Sequence, residues 1–247
     1  MIYLKSDEEL ALMRISGRLT KEALEVAGEK IRPGVTTSEI DGAVARFIEK
    51  NNATASFLGY GGYPKSICVS VDEEVVHGIP GKRVLTEGSI VSVDIGVFKN
   101  GFHGDAARTF AVGKISAAKQ QLIKVTEQCF FKGAALVRED TRLGDIGYAI
   151  NAHAESFGYS TVKVLVGHGI GRQMHEDPNV PNYGARGKGV RLSAGMTIAI
   201  EPMINAGVFE VDRLDDGWTY VTKDGKPSAH YENTLAVTKD GCEILTL

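Results

Sequence analysis

The chain has 247 residues, 43% of them hydrophobic and 24% charged, and a net charge of −3. That is long and apolar enough to bury a large core without staples, and the small acidic excess argues against a dedicated nucleic-acid binder. The three cysteines, Cys68, Cys129 and Cys242, stand far apart with no C-x-x-C pair, an odd set that fits a reducing compartment better than a disulfide framework.

The first residues, Met1-Ile-Tyr-Leu-Lys-Ser-Asp-Glu-Glu, lack the basic and apolar regions of a secretory signal, and no apolar run approaches the roughly 20 residues that span a bilayer. A cytoplasmic chain without membrane contact is expected. Leu10, Met13, Leu19 and Leu24 recur at helical spacing over residues 7–30, until Arg32-Pro33-Gly34 breaks the pattern. Thr36 and Glu39 have capping-box spacing and open a second helix to about residue 50. The same order returns later: a helix over 117–137, a polar break at Arg138-Glu139-Asp140, and another helix to about 156.

Between and after these helices the spacing predicts strands. In Ser89–Val97, alternation puts Val91, Val93, Ile95 and Val97 on one face and Ile90, Ser92, Asp94 and Gly96 on the other. Asn100-Gly101 is a two-residue hairpin signal, so Lys99 pairs with Phe102 and Gly96 falls opposite Asp105. Asp105 then shares a face with Asp94 as a diagonal neighbour about 7–8 Å away at the backbone. Two carboxylates converging there repel each other unless a cation lies between them.

The second half repeats the pattern. Ile40, Ala43 and Val44 match Ile146, Ala149 and Ile150 at an offset of 106 residues, and Leu85, Gly88, Val91, Val93 and Asp94 match Leu192, Gly195, Ile198, Ile200 and Glu201 at 107. We expect one α+β domain over 1–247, built from related halves at roughly 1–115 and 116–247, with antiparallel strands. Met196–Glu201 is an apolar strand ending in an acid, Tyr231–Val237 carries Glu232 at its start, and Val164–Val166 leads into Gly167-His168-Gly169. Each residue alone has an ordinary structural reading. Four acids and a glycine-flanked histidine together would be costly to bury without about two divalent cations. Oxygen-rich ligation with one imidazole and no thiolate suits Mn, Fe, Co or Zn, and two such ions roughly 3.5–4 Å apart can ionise a water and polarise a carbonyl. Hydrolysis is the implied reaction class.

Over nearly its whole length the sequence resembles the type I methionine aminopeptidases. The resemblance rests on Cys68-x-Ser70 through His77-Gly78-Ile79-Pro80, Asp94 with Asp105 eleven residues on, Gly167–Gly171, His175-Glu176-Asp177-Pro178, Ile200-Glu201-Pro202-Met203, and Glu232 with Thr234. It implies the pita-bread fold with pseudo-twofold halves. It implies two divalent ions held by Asp94, Asp105, His168, Glu201 and Glu232, with Asp105 and Glu232 bridging. Glu201 would also shuttle the proton of the attacking water, His175 would hydrogen-bond the substrate carbonyl, and His77 would contact the scissile amide nitrogen. Phe57, Tyr60, Tyr63, Cys68, His77, Met174 and Trp218 would form a methionine pocket whose aromatic and sulfur groups suit a thioether. The substrate would be the initiator methionine of new polypeptides, preferably with a small second residue, and its origin implies transient contact with ribosomes. A monomer is the default expectation.

The chain departs from the usual family pattern at Phe57 (often Cys), Gly61 (His), Met174 (an aromatic), Gly96 (a hydroxyl residue), Ala106 (Thr) and His230 (Gln). His103 and His153 are expected to be structural. Two other readings share this fold: an Xaa-Pro aminopeptidase or prolidase, which usually carries a further N-terminal domain and more histidines, and a non-catalytic binding module, which has typically lost metal ligands.

Overall fold

The computed structural model describes all 247 residues. Helix α1 (Asp7–Lys30) begins at Ser6, and α2 (Thr37–Lys50) begins at Thr36. At both ends the hydroxyl residue and a glutamate three positions on, Glu9 and Glu39, cap each other's backbone N–H. Helices α3 (Ala117–Ala134) and α4 (Leu143–Ser156) follow in the second half. Helix α3 stops short of residue 137 because Leu136 and Val137 donate to Gly133 and Ala134 in tighter i→i−3 bonds, which turn Val137 into the core.

All the strand pairs are antiparallel, as the hairpin signals imply. The Ile90–Lys99 and Phe102–Ala111 strands pair in the register set by Asn100-Gly101, with Lys99 opposite Phe102 and Gly96 opposite Asp105. Asn100 and Gly101 both have positive φ, as a two-residue turn of this kind demands. Strand Cys68–Val71 lies on the other side of Ile90–Lys99, with Cys68 opposite Asp94. In the second half, strands run in the spatial order Cys242–Ile244, Asn233–Val237, Thr197–Ile200, Gly167–Gly169, Glu176–Val180. The run before His168 is not a strand; residues 163–166 turn along the surface with Val164 exposed, and pairing begins only at Gly167.

Val91, Val93, Ile95 and Val97 are fully buried under Leu24 of α1 and Ile40 and Val44 of α2. Ile198, Ile200 and Leu235 are buried likewise under Leu122 and Phe130 of α3 and Ile146 and Ile150 of α4. Each such residue contributes about 1.5–3 kcal/mol by leaving water, so the apolar face fixes which face the acids must take. The repeat seen in the sequence recurs in the hydrogen bonding. Leu85 N–H bonds the Val35 carbonyl and Leu192 N–H bonds that of Thr141, both at 2.8 Å. Gly34 and Asp140, each with positive φ, donate back to Leu85 and Leu192 at 2.9 Å. Gly88 and Gly195, with φ of +90° and +89°, occupy matching turns before their strands.

The halves meet along a seam that brings the acids together. Residues 105, 107 and 109 of one half face 234, 232 and 230 of the other in antiparallel order. Asp105 exchanges two bonds with the Thr234 hydroxyl, at 3.0 and 2.9 Å. Ala107 and Glu232 exchange backbone bonds at 3.3 and 2.9 Å. The Thr109 hydroxyl closes the series, accepting from His230 N–H at 2.8 Å and donating to its carbonyl at 2.9 Å.

Candidate active site

The seam places one cleft at the junction of the halves. Its wall is formed by Phe57, Tyr60, Tyr63, Cys68, His77, Asp94, Asp105, His168, Met174, His175, Glu201, Trp218 and Glu232. The structure thus brings together all five residues expected to hold metal, both additional histidines and the expected aromatic and sulfur groups. Glu201 and Glu232 each lie one residue outside a strand end, where the backbone leaves the sheet.

The deep end is acidic and largely shielded from solvent. Asp105 and Glu232 are almost wholly buried, and Asp94 Oδ1, Asp105 Oδ1 and Glu232 Oε1 have no hydrogen-bond partner. The ion-pair neighbours of these groups are imidazoles, not Lys or Arg. His168 Nε2 lies 3.7 Å from both Asp105 Oδ2 and Glu201 Oε1, and His230 Nε2 lies 3.8 Å from Glu201 Oε2 and Glu232 Oε2. Burial pushes Asp94, Glu201 and Glu232 well above the ordinary carboxylate range, and Asp105 up to about 8, with mutual repulsion adding to the effect on the first three. Such a cluster is stable as ionised carboxylates only with cations among them. Two sets of donor atoms sit close enough for an ion, Asp105–His168–Glu232 and Asp94–His230–Glu232, with Glu232 common to both. The unpartnered oxygens and the mixed oxygen and imidazole donors fit a divalent metal centre.

His168 is oriented for this. Its Nδ1 bonds the Gly169 carbonyl at 2.8 Å, so the proton sits there and Nε2 keeps its lone pair toward the acids. Desolvation holds the ring down to about pKa 4, hence neutral at pH 7. The His175 ring lies 4.2 Å from it at a 53° tilt, with Nδ1 2.7 Å from the Tyr60 hydroxyl. His175 is exposed at the cleft mouth, yet desolvation of its ring, with His168 beside it, lowers its pKa as well. His77 has φ of +61°, a strained conformation for a residue with a Cβ. It is held there because Gly78 donates to Ser70 Oγ at 3.0 Å and accepts from Val69 N–H and the Tyr63 hydroxyl at 2.9 and 3.0 Å. A side chain on Gly78 would strike the Val69 carbonyl, which explains the glycine in His77-Gly78.

At the shallow end Tyr63 packs edge-on to Trp218, 5.1 Å between centroids, and Met174 and Cys68 are buried beside them. Two departures from the family pattern are one feature. A Cβ on Gly96 would come within 2.7 Å of Ser56 Cβ and 2.8 Å of Phe57 Cε1, so Phe57 fits only because residue 96 has no side chain. His103 and His153 stay outside the cleft, bonded to Ser56 Oγ at 2.8 Å and Gln128 Oε1 at 3.1 Å.

Sequence reading missed two groups. Arg108 donates to the Glu232 carbonyl at 2.6 Å and to Asn233 Oδ1 at 2.7 Å, with its guanidinium 4.0 Å from the Tyr231 ring centre, and so positions the Glu232 backbone. His230 faces the acids directly, and its spacing of two from Glu232, the strand period, was the available signal.

A sequence model of metallopeptidase family M24 matches residues 11–239. Across its whole length the chain is 54% identical to the methionine aminopeptidase of Clostridium perfringens (strain 13 / Type A), over 99% of that protein. It is 49% identical to methionine aminopeptidase 1 of Bacillus subtilis (strain 168), again over 100% of this chain and 99% of the other. The crystal structure of methionine aminopeptidase from Rickettsia prowazekii superposes with a TM-score of 0.99 at 42% identity, covering 100% of both chains. Prolidase from Pyrococcus furiosus shares the fold alone, with a TM-score of 0.77 at 19% identity over 99% of this chain and 65% of that one. The α+β pita-bread architecture expected from the sequence is the one observed. The chain belongs to metallopeptidase family M24 and, within it, to the methionine aminopeptidases.

Proposed function

We propose that this chain removes the N-terminal methionine from new polypeptides in the cytoplasm, acting as one catalytic domain over residues 1–247 whose halves, roughly 1–115 and 116–247, share the active site. The observation that carries the reading is the meeting of Asp94, Asp105, His168, Glu201 and Glu232 at the floor of a cleft walled by Phe57, Tyr60, Tyr63, Cys68, Met174 and Trp218. Those five residues would hold two divalent cations (Mn, Fe, Co or Zn), which when bound lower the pKa of a water and polarise the scissile carbonyl. The aromatic and sulfur wall takes the methionine side chain. Glu201 is the carboxylate that accepts the proton of the attacking water and passes it on, and burial raises its affinity for that proton above the ordinary carboxylate range. His175, at the cleft mouth with its ring set by the Tyr60 hydroxyl, donates to the carbonyl oxygen as charge develops. His77, fixed by the Gly78 bonds, reaches the scissile amide nitrogen. The chain acts as a monomer and meets its substrates transiently at the ribosome, touching neither membrane nor nucleic acid directly. No helix is long and apolar enough to cross a membrane.

The competing substrate class is tested by assaying a Met-Gly-Met peptide beside an Xaa-Pro peptide with Mn- or Co-supplemented protein. Faster release of methionine from Met-Gly-Met is expected. Faster Xaa-Pro cleavage would overturn the substrate assignment, and no cleavage of either would favour a binding module.

A further inference from the structure

His230 closes the Ser228–His230 strand with its ring 1% exposed. Both ring nitrogens are buried without a hydrogen-bond partner, which is unusual for a group that can both donate and accept. Its backbone is pinned in both directions by the Thr109 hydroxyl, itself 2.8 Å from Ser92 Oγ, so the fold rather than a mobile loop sets the ring's place. Nε2 lies 3.8 Å from Glu201 Oε2 and 3.8 Å from Glu232 Oε2, too far for hydrogen bonds. Two donors on one ion, each about 2.0–2.2 Å from it, stand roughly 3–4.4 Å apart. The Asp94, His230 and Glu232 donor atoms all lie within 4.8 Å of one another, the arrangement of a site in want of an ion. Arg108, the nearby half-buried cation, is turned instead toward the Ala107 and Glu232 carbonyls.

We propose that His230 is a further protein ligand of the metal centre, giving Nε2 to the ion held by Asp94 and Glu232. The inference rests on the metal-centre reading above. Each ion then has one imidazole, His168 for one and His230 for the other, in place of an all-oxygen site on the Asp94 side. A nitrogen donor there favours Fe, Co or Zn over Mn.

The test is the imidazole count by X-ray absorption on protein loaded with two equivalents of Co(II), together with calorimetric Co(II) titration. Wild-type protein is expected to show two imidazoles per pair of ions. H230Q, which keeps a neutral polar side chain of similar length, is expected to show one, with one of the two ions bound about tenfold more weakly or worse. A single imidazole per pair in wild-type protein, or an unchanged count in a folded H230Q, overturns the proposal while leaving the metal centre intact. Wild-type protein that binds no Co(II) would overturn the metal centre itself. If circular dichroism shows H230Q unfolded, the wild-type count still decides.

Discussion

Glu201→Gln is expected to lower kcat on a Met-initiated peptide by about 10²–10⁴-fold, the range that a positioned general base supplies. Gln fills the volume that Glu201 occupies after the Thr197–Ile200 strand, and the backbone there is held independently by Asn182, whose Nδ2 donates to the Glu201 carbonyl at 2.9 Å. The amide cannot take up and release a proton at neutral pH. It also removes one of four repelling carboxylates, so metal-free E201Q is expected to melt no lower than wild type. Steady-state kinetics and a circular-dichroism melt measure both. Near-native turnover would contradict the proton-transfer role.

Removing the metal has a predicted pH signature. In the folded, metal-free protein burial raises Asp105 from 3.8 to about 8, and raises Asp94, Glu201 and Glu232 in the same direction. A group raised in the folded state keeps a proton that the unfolded chain has lost, so its contribution is full below its unfolded pKa and fades as pH climbs through the folded one. The buried histidines act oppositely. Burial lowers His77 and His168 from 6.5 to about 4 and His230 to about 3, so they add stability as pH rises, and that gain is complete by about 6.5. The two effects oppose each other between about pH 4 and 6.5; above it only the acids still change. Chelator-treated protein is therefore expected to lose Tm steadily from pH 6.5 to 8, whereas protein saturated with Mn(II) melts higher and shows little change across that window. Asp105→Asn deletes one of the acids. It is expected to abolish peptidase activity, weaken metal binding, and flatten the chelated protein's decline, melting above wild type at pH 8. A chelated wild type whose Tm holds or rises between pH 6.5 and 8 would contradict the buried-acid account.

Local signals in the sequence carried much of this. Asn100-Gly101 determines the register that sets Asp94 and Asp105 on one face, because a two-residue turn leaves the strands no freedom to slip. Thr36 with Glu39 marks the start of α2 because the capping bonds are local. The seam that pairs residues 105, 107 and 109 with 234, 232 and 230 left no such trace. Two of its three contacts run through threonine hydroxyls, and contacts between residues so distant along the chain have no period to read. The sequence accordingly names the acids, and the internal repeat and the cost of burying four carboxylates point to a shared metal site, but nothing in it traces the contacts that join them. His230 stands out in the sequence as a departure from the family's Gln, and its spacing from Glu232 puts the two on one face, but its approach to Glu201 and to Asp94 of the other half comes from the fold. Phe57 and Gly96 looked like separate departures until the close approach of their atoms made them one. Val164–Val166 misled in the other direction: β-branched residues favour strands only where a neighbour supplies the pairing, and none lies beside them.

Anomalous diffraction from crystals soaked in Mn(II) tests the central claim most directly. The expected map has two peaks, about 3.5–4 Å apart, among Asp94, Asp105, His168, Glu201 and Glu232. A map with no peak among those side chains, from crystals of protein that cleaves Met-Gly-Met, would contradict it.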